Sequence, residues 1–302
     1  MKPVLELLNS LLIVDFPSGS SINYYKGKLY LIGDDANNLL VLDNSYQQVD
    51  SIRLFDFPIK RIPKKQKADF ETSTVIQVNG EAYIFIFGSA SRKERKVEML
   101  IPLDGSTPDI NKPNAPVIYS NAFFEQLKST GIEDVNIEGS TTIGDYFVLG
   151  NRGNTANPFN YLVFTNNGFS NPEKEVAFFV SKLVLPEQIH EFAGVSELCY
   201  VESKDLLLFT LSSESTNNSY DDGDIGDSYL GCIYDITHKM HQPELVLDEM
   251  INLSAINKEF EHEKIEGICV EAVHGNELSI HLVSDNDGGE SKLFHVKMVL
   301  SV

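Results

Sequence analysis

The sequence predicts an all-β fold, a five-bladed β-propeller closed by its own N-terminal strand, on three observations. One pattern of strand, turn, strand, loop and strand recurs five times along the 302 residues. Helical periodicity is almost absent, and apolar runs of strand length are separated by turn signals throughout. A spare apolar strand at the N-terminus complements a last unit that lacks one, and pairing the two closes a ring and removes the exposed edges of an open stack. A six-bladed ring with one degenerate blade is the alternative. Two β-sandwiches in tandem fit less well, because no stretch resembles a linker between halves.

The elements follow in order within one domain, residues 1–302. The N-terminal strand lies in residues 4–16 and contains LNSLLIVDF. The first blade, residues 18–56, holds SSINYYKGKLYLIGDDANNLLVL and a fourth strand, QVDSIRLFDF. The second, residues 69–120, holds ETSTVIQVNGEAYIFIFGSASRKERKVEMLIPL and APVIYS. The third, residues 138–186, runs from EGSTTIGDYFVLGNRGNTANPFNYLVF to VAFFVSKLVL. The fourth, residues 194–253, holds SELCYVESKDLLLFTLSSE, YLGCIYDI and PELVLDEMINL. The fifth, residues 264–302, is EGICVEAVHGNELSIHLVSDNDGGESKLFHV and stops soon after its third strand. In every unit the second strand ends in a small residue: Gly33, Gly88, Gly150, Ser212 and Ser284, at spacings of 55, 62, 62 and 72. NAFFEQLKSTG around Phe124 and NLSAINKEFEHEK around Ile256 each predict a short helix between blades.

Composition bounds the function. A 42% hydrophobic chain can fill a core, and 44 acidic against 24 basic side chains leave a net charge of −20. Such a surface repels nucleic acid and anionic membranes and attracts cations. Cys199, Cys232 and Cys269 are an odd number without metal spacing, so they read as small buried hydrophobes rather than a disulfide framework. The N-terminus carries Glu6 and Asn9 within its apolar run and no cleavage site, and no stretch reaches the roughly 18 apolar residues of a membrane span. The expected compartment is the cytoplasm, although a secreted chain stripped of its signal would read the same.

The repeat also places a site. The residue opening each first strand and the loop closing each second strand share one face of the ring. That rim collects Glu71, Glu138 and Glu266 from units two, three and five, with Ser20 and Ser196 in the other two units and Glu197 adjacent. The loops add Asp34, Asp35, Ser89, Ser91, Arg92, Asn151, Arg152, Asn154, Glu214, Asp285, Asn286 and Asp287. Carboxylates brought together need a cation, a proton or an Arg partner. Arg92 and Arg152 could supply that charge or hold an anionic group of a ligand. The ligand-binding candidates are therefore Glu71, Glu138, Glu266, Arg92, Arg152 and Asn151, and the metal candidates Asp285, Asp287 and Glu266. The other reading is structural: the three glutamates accept hydrogen bonds from neighbouring blades and lock the ring.

Other clusters carry less. SDNDGGES from Ser284 has the hard oxygen donors and Gly turn of a calcium loop, yet also reads as a polar hairpin. SYDDGDIGDS, with Asp221, Asp222, Asp224 and Asp227, reads as a solvated loop. The seven histidines form no zinc spacing, and His238 and His241 read as turn residues. KRIPKKQK from Lys60 is the one basic cluster, a solvated connection offsetting nearby acids or an anion or partner site. No nucleophile elbow, P-loop or dinucleotide fingerprint is present.

KIEGICVE followed by LSIHLVSDNDGGESKLFHVKM resembles the last blade of the phytase-like, esterase-like propeller superfamily, in which an EGIA strand precedes a VSDN strand end. KADFETSTVI followed by FIFGSASRKERKVEMLIPLDG resembles an uncharacterised bacterial propeller family allied to that superfamily. The resemblance implies a channel mouth whose carboxylates hold calcium ions that activate water and neutralise a phosphate ester. On matching, Glu71, Glu138, Glu266, Asp285 and Asp287 would take that part. Ser20 and Ser196 depart from the pattern, and no basic cluster stands ready to grip a polyphosphate.

Two functions follow as expectations, leaving open whether the protein is an enzyme. The first is a propeller that binds a cation or small polar ligand at its acidic mouth, with calcium the candidate cofactor and a protein partner open. The alternative is a calcium-dependent phosphoester or ester hydrolase of phytase-like type.

Overall fold

The computed structural model describes residues 2–103, 117–118, 121–166, 177–186, 192–214, 225–286 and 288–301. The chain opens with β1 (Val4–Ile13). The first blade follows as β2 (Gly19–Tyr25), β3 (Lys28–Gly33), β4 (Asn38–Asp43) and β5 (Gln48–Arg53). The second is β6 (Phe70–Val78), β7 (Glu81–Gly88), β8 (Val97–Pro102) and β9 (Val117–Ile118). A helix, α1 (Asn121–Ser129), leads to the third blade: β10 (Ile137–Ile143), β11 (Tyr146–Asn151), β12 (Asn160–Asn166) and β13 (Phe178–Val184). The fourth begins with β14 (Ala193–Val201), β15 (Leu206–Glu214) and β16 (Ile225–Tyr234). After a one-turn helix, α2 (Ile236–Lys239), come β17 (Glu244–Val246) and β18 (Glu249–Asn252). The last blade is β19 (Lys264–His274), β20 (Glu277–Asp285) and β21 (Ser291–Val299).

These strands make the five sheets of a five-bladed propeller. The ring closes as the sequence predicts: β1 pairs antiparallel with β21, from Val4 opposite Val299 to Ile13 opposite Ser291. Hairpin turns set the register. Val78 and Glu81 flank Asn79 and Gly80, both at positive φ (53° and 83°), the conformation that an Asn-Gly turn adopts most cheaply.

The second strand of each blade is buried on both faces, which is why it reads as an unbroken apolar run rather than an alternating one. Leu29 and Leu31 of β3 enter the core shared with the last blade, while Tyr30 and Ile32 enter the core shared with the second. Phe85 and Phe87 of β7 likewise face the third blade, and Ile84 and Ile86 the first. Five apolar clusters thus fill the five junctions between blades. The strand-end residues are small because other chain crosses there. An added Cβ at Gly33 would collide with the Pro17 carbonyl oxygen, and one at Gly88 with that of Arg95.

Two expectations are corrected. PELVLDEMINL is not one outer strand of the fourth blade. Its first half, β17, runs parallel to β13 and extends the third blade, and only β18 pairs with β16. Leu245 and Leu247 drop into the core between these blades, and the Ser181 hydroxyl holds the Gln242 carbonyl at 2.7 Å, so burial pulls the segment across the junction. The helix expected around Ile256 is only a 3-10 turn at Lys258–Phe260, capped by the Asn257 side chain. In α1, Phe123, Phe124 and Leu127 are buried and hold the expected helix in place. Among the described residues no helix is long and apolar enough to cross a membrane.

Candidate functional site

Each innermost strand carries a β-bulge near its start. The skipped residue is Ser20 in β2, Glu71 in β6, Glu138 in β10, Ser196 in β14 and Glu266 in β19. These are the five rim positions that the repeat aligns. An extra residue at a bulge leaves the ladder and can be re-aimed, and here the carboxylates of three separate blades converge. Glu71, Glu138 and Glu266 offer oxygens that all lie within 4.8 Å of one another. Glu138 and Glu266 are buried and Glu71 is half-buried. The Glu266 Oε1 atom is buried with no hydrogen bond, its charge facing Lys264 Nζ at 3.1 Å.

A second tier of charge surrounds the trio. Lys264 also reaches Glu214 Oε2 at 3.2 Å, and Arg152 lies 3.6 Å from the same atom. Asn136 Nδ2 donates to Glu138 Oε1 at 2.6 Å. On the other side Lys67 pairs with Asp34 and with Asp69 Oδ1 (2.9 Å), and Arg95 pairs with Asp69 Oδ2 at 2.6 Å. Arg61 holds Asp35 at 2.5 Å. Asp34, Asp69 and Glu71 again place oxygens within 4.8 Å of one another, so two carboxylate groups share Glu71.

The balance of burial and charge sets their protonation. Burial, then Asp69 and Glu138, pushes Glu71 well above the ordinary carboxyl range. Burial lifts Glu138 to about 7, with Glu266 adding to it and Arg152 and Lys264 opposing. Asp34 rises to about 8, mainly by burial against the pull of Lys67. Although burial also pushes Asp69 up, Lys67 and Arg95 hold it below its usual value. Despite burial, Glu266 and Glu214 keep Lys264 protonated far above its ordinary range. A site with protonated and ionised carboxyls side by side can exchange a proton for a cation.

One storey below, the channel is plugged. Glu197 follows the bulge residue of β14 and is 1% exposed. Its Oε2 accepts from Ser21 Oγ at 2.6 Å, and its Oε1 from Thr72 Oγ1 (2.6 Å), the Ser140 amide (2.8 Å) and the Leu198 amide (3.0 Å). Four blades meet on that carboxyl. Burial raises Glu197 to about 8 against the pull of these donors. Beyond it the channel widens into a cavity of about 580 Å³ lined by Asn23, Thr74, Ser140, Cys199 and Cys269 among others. Burial raises both thiols, Cys199 to about 12, so neither is an activated nucleophile.

The other rim residues have structural partners. Arg152 Nη1 lies 2.9 Å from Ser196 Oγ and 3.0 Å from Ser212 Oγ, and Nη2 donates to the Ser212 carbonyl at 3.1 Å. Gly194 makes room for it, since a Cβ there would stand 2.6 Å from the Arg152 side chain. Asn151 accepts from the Asn136 amide at 2.9 Å and so buttresses the strand that carries Glu138. Arg92 is exposed, and it is Arg95, three residues on, that is buried on Asp69. Asp285 stands opposite Lys264 in the β19–β20 ladder, whereas among the described residues the oxygens grouped with Glu266 are those of Glu71 and Glu138. Asp287 lies outside the described residues, as do Asp221, Asp222 and Asp224. Asp227 accepts from Asn252 at 2.9 Å.

Lys67, Asp69, Arg95, Lys264 and Glu197 were not singled out as site residues from sequence. A signal for most of them exists: Lys67, Asp69 and Glu71 alternate, as do Asn136 with Glu138 and Lys264 with Glu266. A polar residue thus recurs two before each bulge glutamate, although the left-handed backbone of Asp69 (φ 58°) means that simple strand alternation does not carry Lys67 to the mouth.

A family model described as a family of unknown function, DUF6929, matches residues 15–298. Among solved structures, a glutaminyl cyclase from Myxococcus xanthus aligns over 100% of this chain and 99% of its own, at 13% identity and a TM-score of 0.57. The tail fibre of Staphylococcus aureus phage P68 aligns over 97% of this chain and 53% of its own, at 13% identity and a TM-score of 0.50. At such identity the likeness is one of fold alone. No curated protein sequence matches significantly.

Proposed function

The chain belongs to the DUF6929 family, and from that premise and the geometry of the channel mouth we propose that it binds a cation through Glu71, Glu138 and Glu266. The observation that carries this reading is the convergence of three carboxylate oxygens within 4.8 Å from three different blades, one of them buried without a hydrogen bond. Oxygen-only donors of this kind suit a hard ion such as Ca2+, or the ammonium head of a small polar ligand. Protons on Glu71 and Glu138 and the ion pair of Lys264 with Glu266 hold the cluster together until the ligand replaces them. The test is thermal melting after EDTA treatment and with added Ca2+. Stabilisation of about 2.7 kcal/mol is expected at a hundredfold excess over Kd, and none in Glu266→Gln. No response to calcium or to small amines would overturn the reading.

The finer alternative, a calcium-dependent phosphoester or ester hydrolase, rests on the EGIC and VSDN resemblance in the last blade. A carboxyl near pH 7, as at Glu138, suits a general acid. Against it, Arg152 already spends its donors on Ser196 and Ser212 instead of facing a phosphate. Turnover of simple aryl phosphates or esters that requires Ca2+ and is lost in Glu138→Gln would favour the hydrolase. Binding without turnover would favour the first reading.

A further inference from the structure

Away from the channel, the face of the last blade that meets the first brings together a donor set of a different kind. His281 of β20 and His295 of β21 are direct cross-strand partners, and their rings stack at 4.6 Å with planes 20° apart. Glu271 sits at a second bulge of β19, between Val270 and Ala272, which turns its carboxylate onto the same face. His281 Nε2 lies 3.1 Å from Glu271 Oε2 and His295 Nε2 lies 3.9 Å from it. One donor atom from each residue falls within 4.8 Å of the others.

The surroundings hold these donors in place. The Tyr46 hydroxyl, from the first blade, lies 2.8 Å from His281 Nδ1. Asn44 of the same hairpin donates to Glu271 Oε1. Ser279 Oγ lies 2.9 Å from Glu271 Oε2 and 2.8 Å from His295 Nε2. In the metal-free chain His281 Nε2–H donates to the Glu271 carboxylate and Nδ1 accepts from the Tyr46 hydroxyl; an ion on Nε2 selects the other tautomer, whose Nδ1–H donates to the Tyr46 oxygen. His281 is fully buried, while Glu271 and His295 keep 19% and 27% of their side chains accessible, which leaves a way in.

We propose that Glu271, His281 and His295 bind a divalent transition-metal ion of the zinc class. Two imidazoles and one carboxylate form a donor set that Zn2+ takes with a position left for water, and a hydroxyl on the far imidazole nitrogen is the outer partner that orients a metal-bound histidine. Hard ions such as Ca2+ lack affinity for imidazole, so this site and the channel mouth select different metals. The ligands come from three adjacent strands of the last blade, and Tyr46 and Asn44 come from the first. Metal binding therefore tightens the junction where the ring closes.

The test uses the full chain stripped with EDTA and titrated with Zn2+ against a chromophoric chelator, with Co2+ absorption reporting the donors. One equivalent of Zn2+ should bind and raise the melting temperature. His295→Ala and Glu271→Gln, both at partly accessible positions, should weaken that binding at least about 100-fold, and Tyr46→Phe by roughly 10- to 100-fold. Melting of each variant without metal establishes that it is folded. Glu266→Gln should leave zinc binding unchanged, which separates this proposal from the one at the mouth. Absence of stoichiometric Zn2+ binding, or binding that survives both His295→Ala and Glu271→Gln in folded protein, overturns it.

Discussion

Glu197 and the trio Glu71, Glu138 and Glu266 occupy successive storeys of one channel, a single residue apart along their strands. At the bulge position the five blades contribute Ser20, Glu71, Glu138, Ser196 and Glu266. At the next position they contribute Ser21, Thr72, Gly139, Glu197 and Gly267. The lower storey therefore holds one carboxyl among four small residues, two of which donate hydroxyls to it. The upper storey holds three carboxyls and two serines; its acids face one another, with Lys264 on Glu266 and the Asn136 side-chain amide on Glu138. A buried carboxyl with four donors is committed to structure. Carboxyls that crowd one another, one with a buried oxygen held by an ammonium group alone, could exchange those partners for an ion. The ring-locking task that could have been assigned to the rim glutamates falls to Glu197.

The largest effect that bears on this contrast comes from removing the plug. Glu197→Ala strands the Ser140 and Leu198 amides in the interior and leaves the Ser21 and Thr72 hydroxyls with only the Ser73 and Ser140 hydroxyls as partners. Stranded buried donors cost about 1–3 kcal/mol each when nothing relaxes, so a loss of roughly 3–5 kcal/mol in urea denaturation is expected. Glu71→Gln should cost less than about 1 kcal/mol or stabilise, because a neutral amide of the same shape replaces a carboxyl that burial and its acidic neighbours already hold protonated. Equal losses in the two variants would erase the distinction between storeys.

A smaller effect probes the upper storey. Lys264→Met leaves Glu266 and Glu214 without their shared cation and should destabilise the metal-free protein by about 1–3 kcal/mol. The same variant should bind Ca2+ more tightly, because the ion no longer competes with an ammonium group for Glu266. Opposite signs for stability and affinity, read by melting and by calcium titration, distinguish a ligand site from a structural ion pair. Weaker calcium binding would make Lys264 a support of the site.

Much of this was legible in the sequence, for reasons visible at particular residues. The blade count and the closing strand follow from a repeat that preserves element order, and Glu71, Glu138 and Glu266 fall at one repeat position, so alignment alone brings them together. Glu197 escaped because the bulge makes two adjacent residues face different storeys, and Ser196 took the aligned place. Arg95 was missed for Arg92 because a 3-10 turn, Lys93–Arg95, carries the later arginine inward. The split of β17 from β18 depends on which core Leu245 and Leu247 enter, a tertiary choice without local signal. Glu271, His281 and His295 have no spacing motif because strand register, not helical repeat, unites them.

The mildest expected effect lies in pH dependence, where the two storeys act in the same direction and only substitution separates them. Glu138 binds its proton more tightly in the folded chain, near 7, than at its ordinary 4.5. Folding therefore takes up a proton between those values, and this group's contribution is complete below about pH 4.5, declines as pH rises, and is lost above about pH 7. Glu197, raised to about 8, extends the decline to higher pH. Glu138→Gln should flatten the fall in stability between pH 5 and 7, followed by melting, by an amount on the order of 1 kcal/mol. A tenfold change in proton affinity corresponds to about 1.4 kcal/mol, and the neighbouring carboxyls absorb part of the effect. The residual slope from pH 7 to 8 should persist in that variant and shrink in Glu197→Gln, with Asp34, also raised to about 8, keeping the remainder. Saturating Ca2+ should suppress the Glu138 component in the wild type by displacing its proton, and should leave the Glu197 component untouched. A calcium-insensitive profile would mean that the mouth carboxyls titrate without exchanging their protons for an ion.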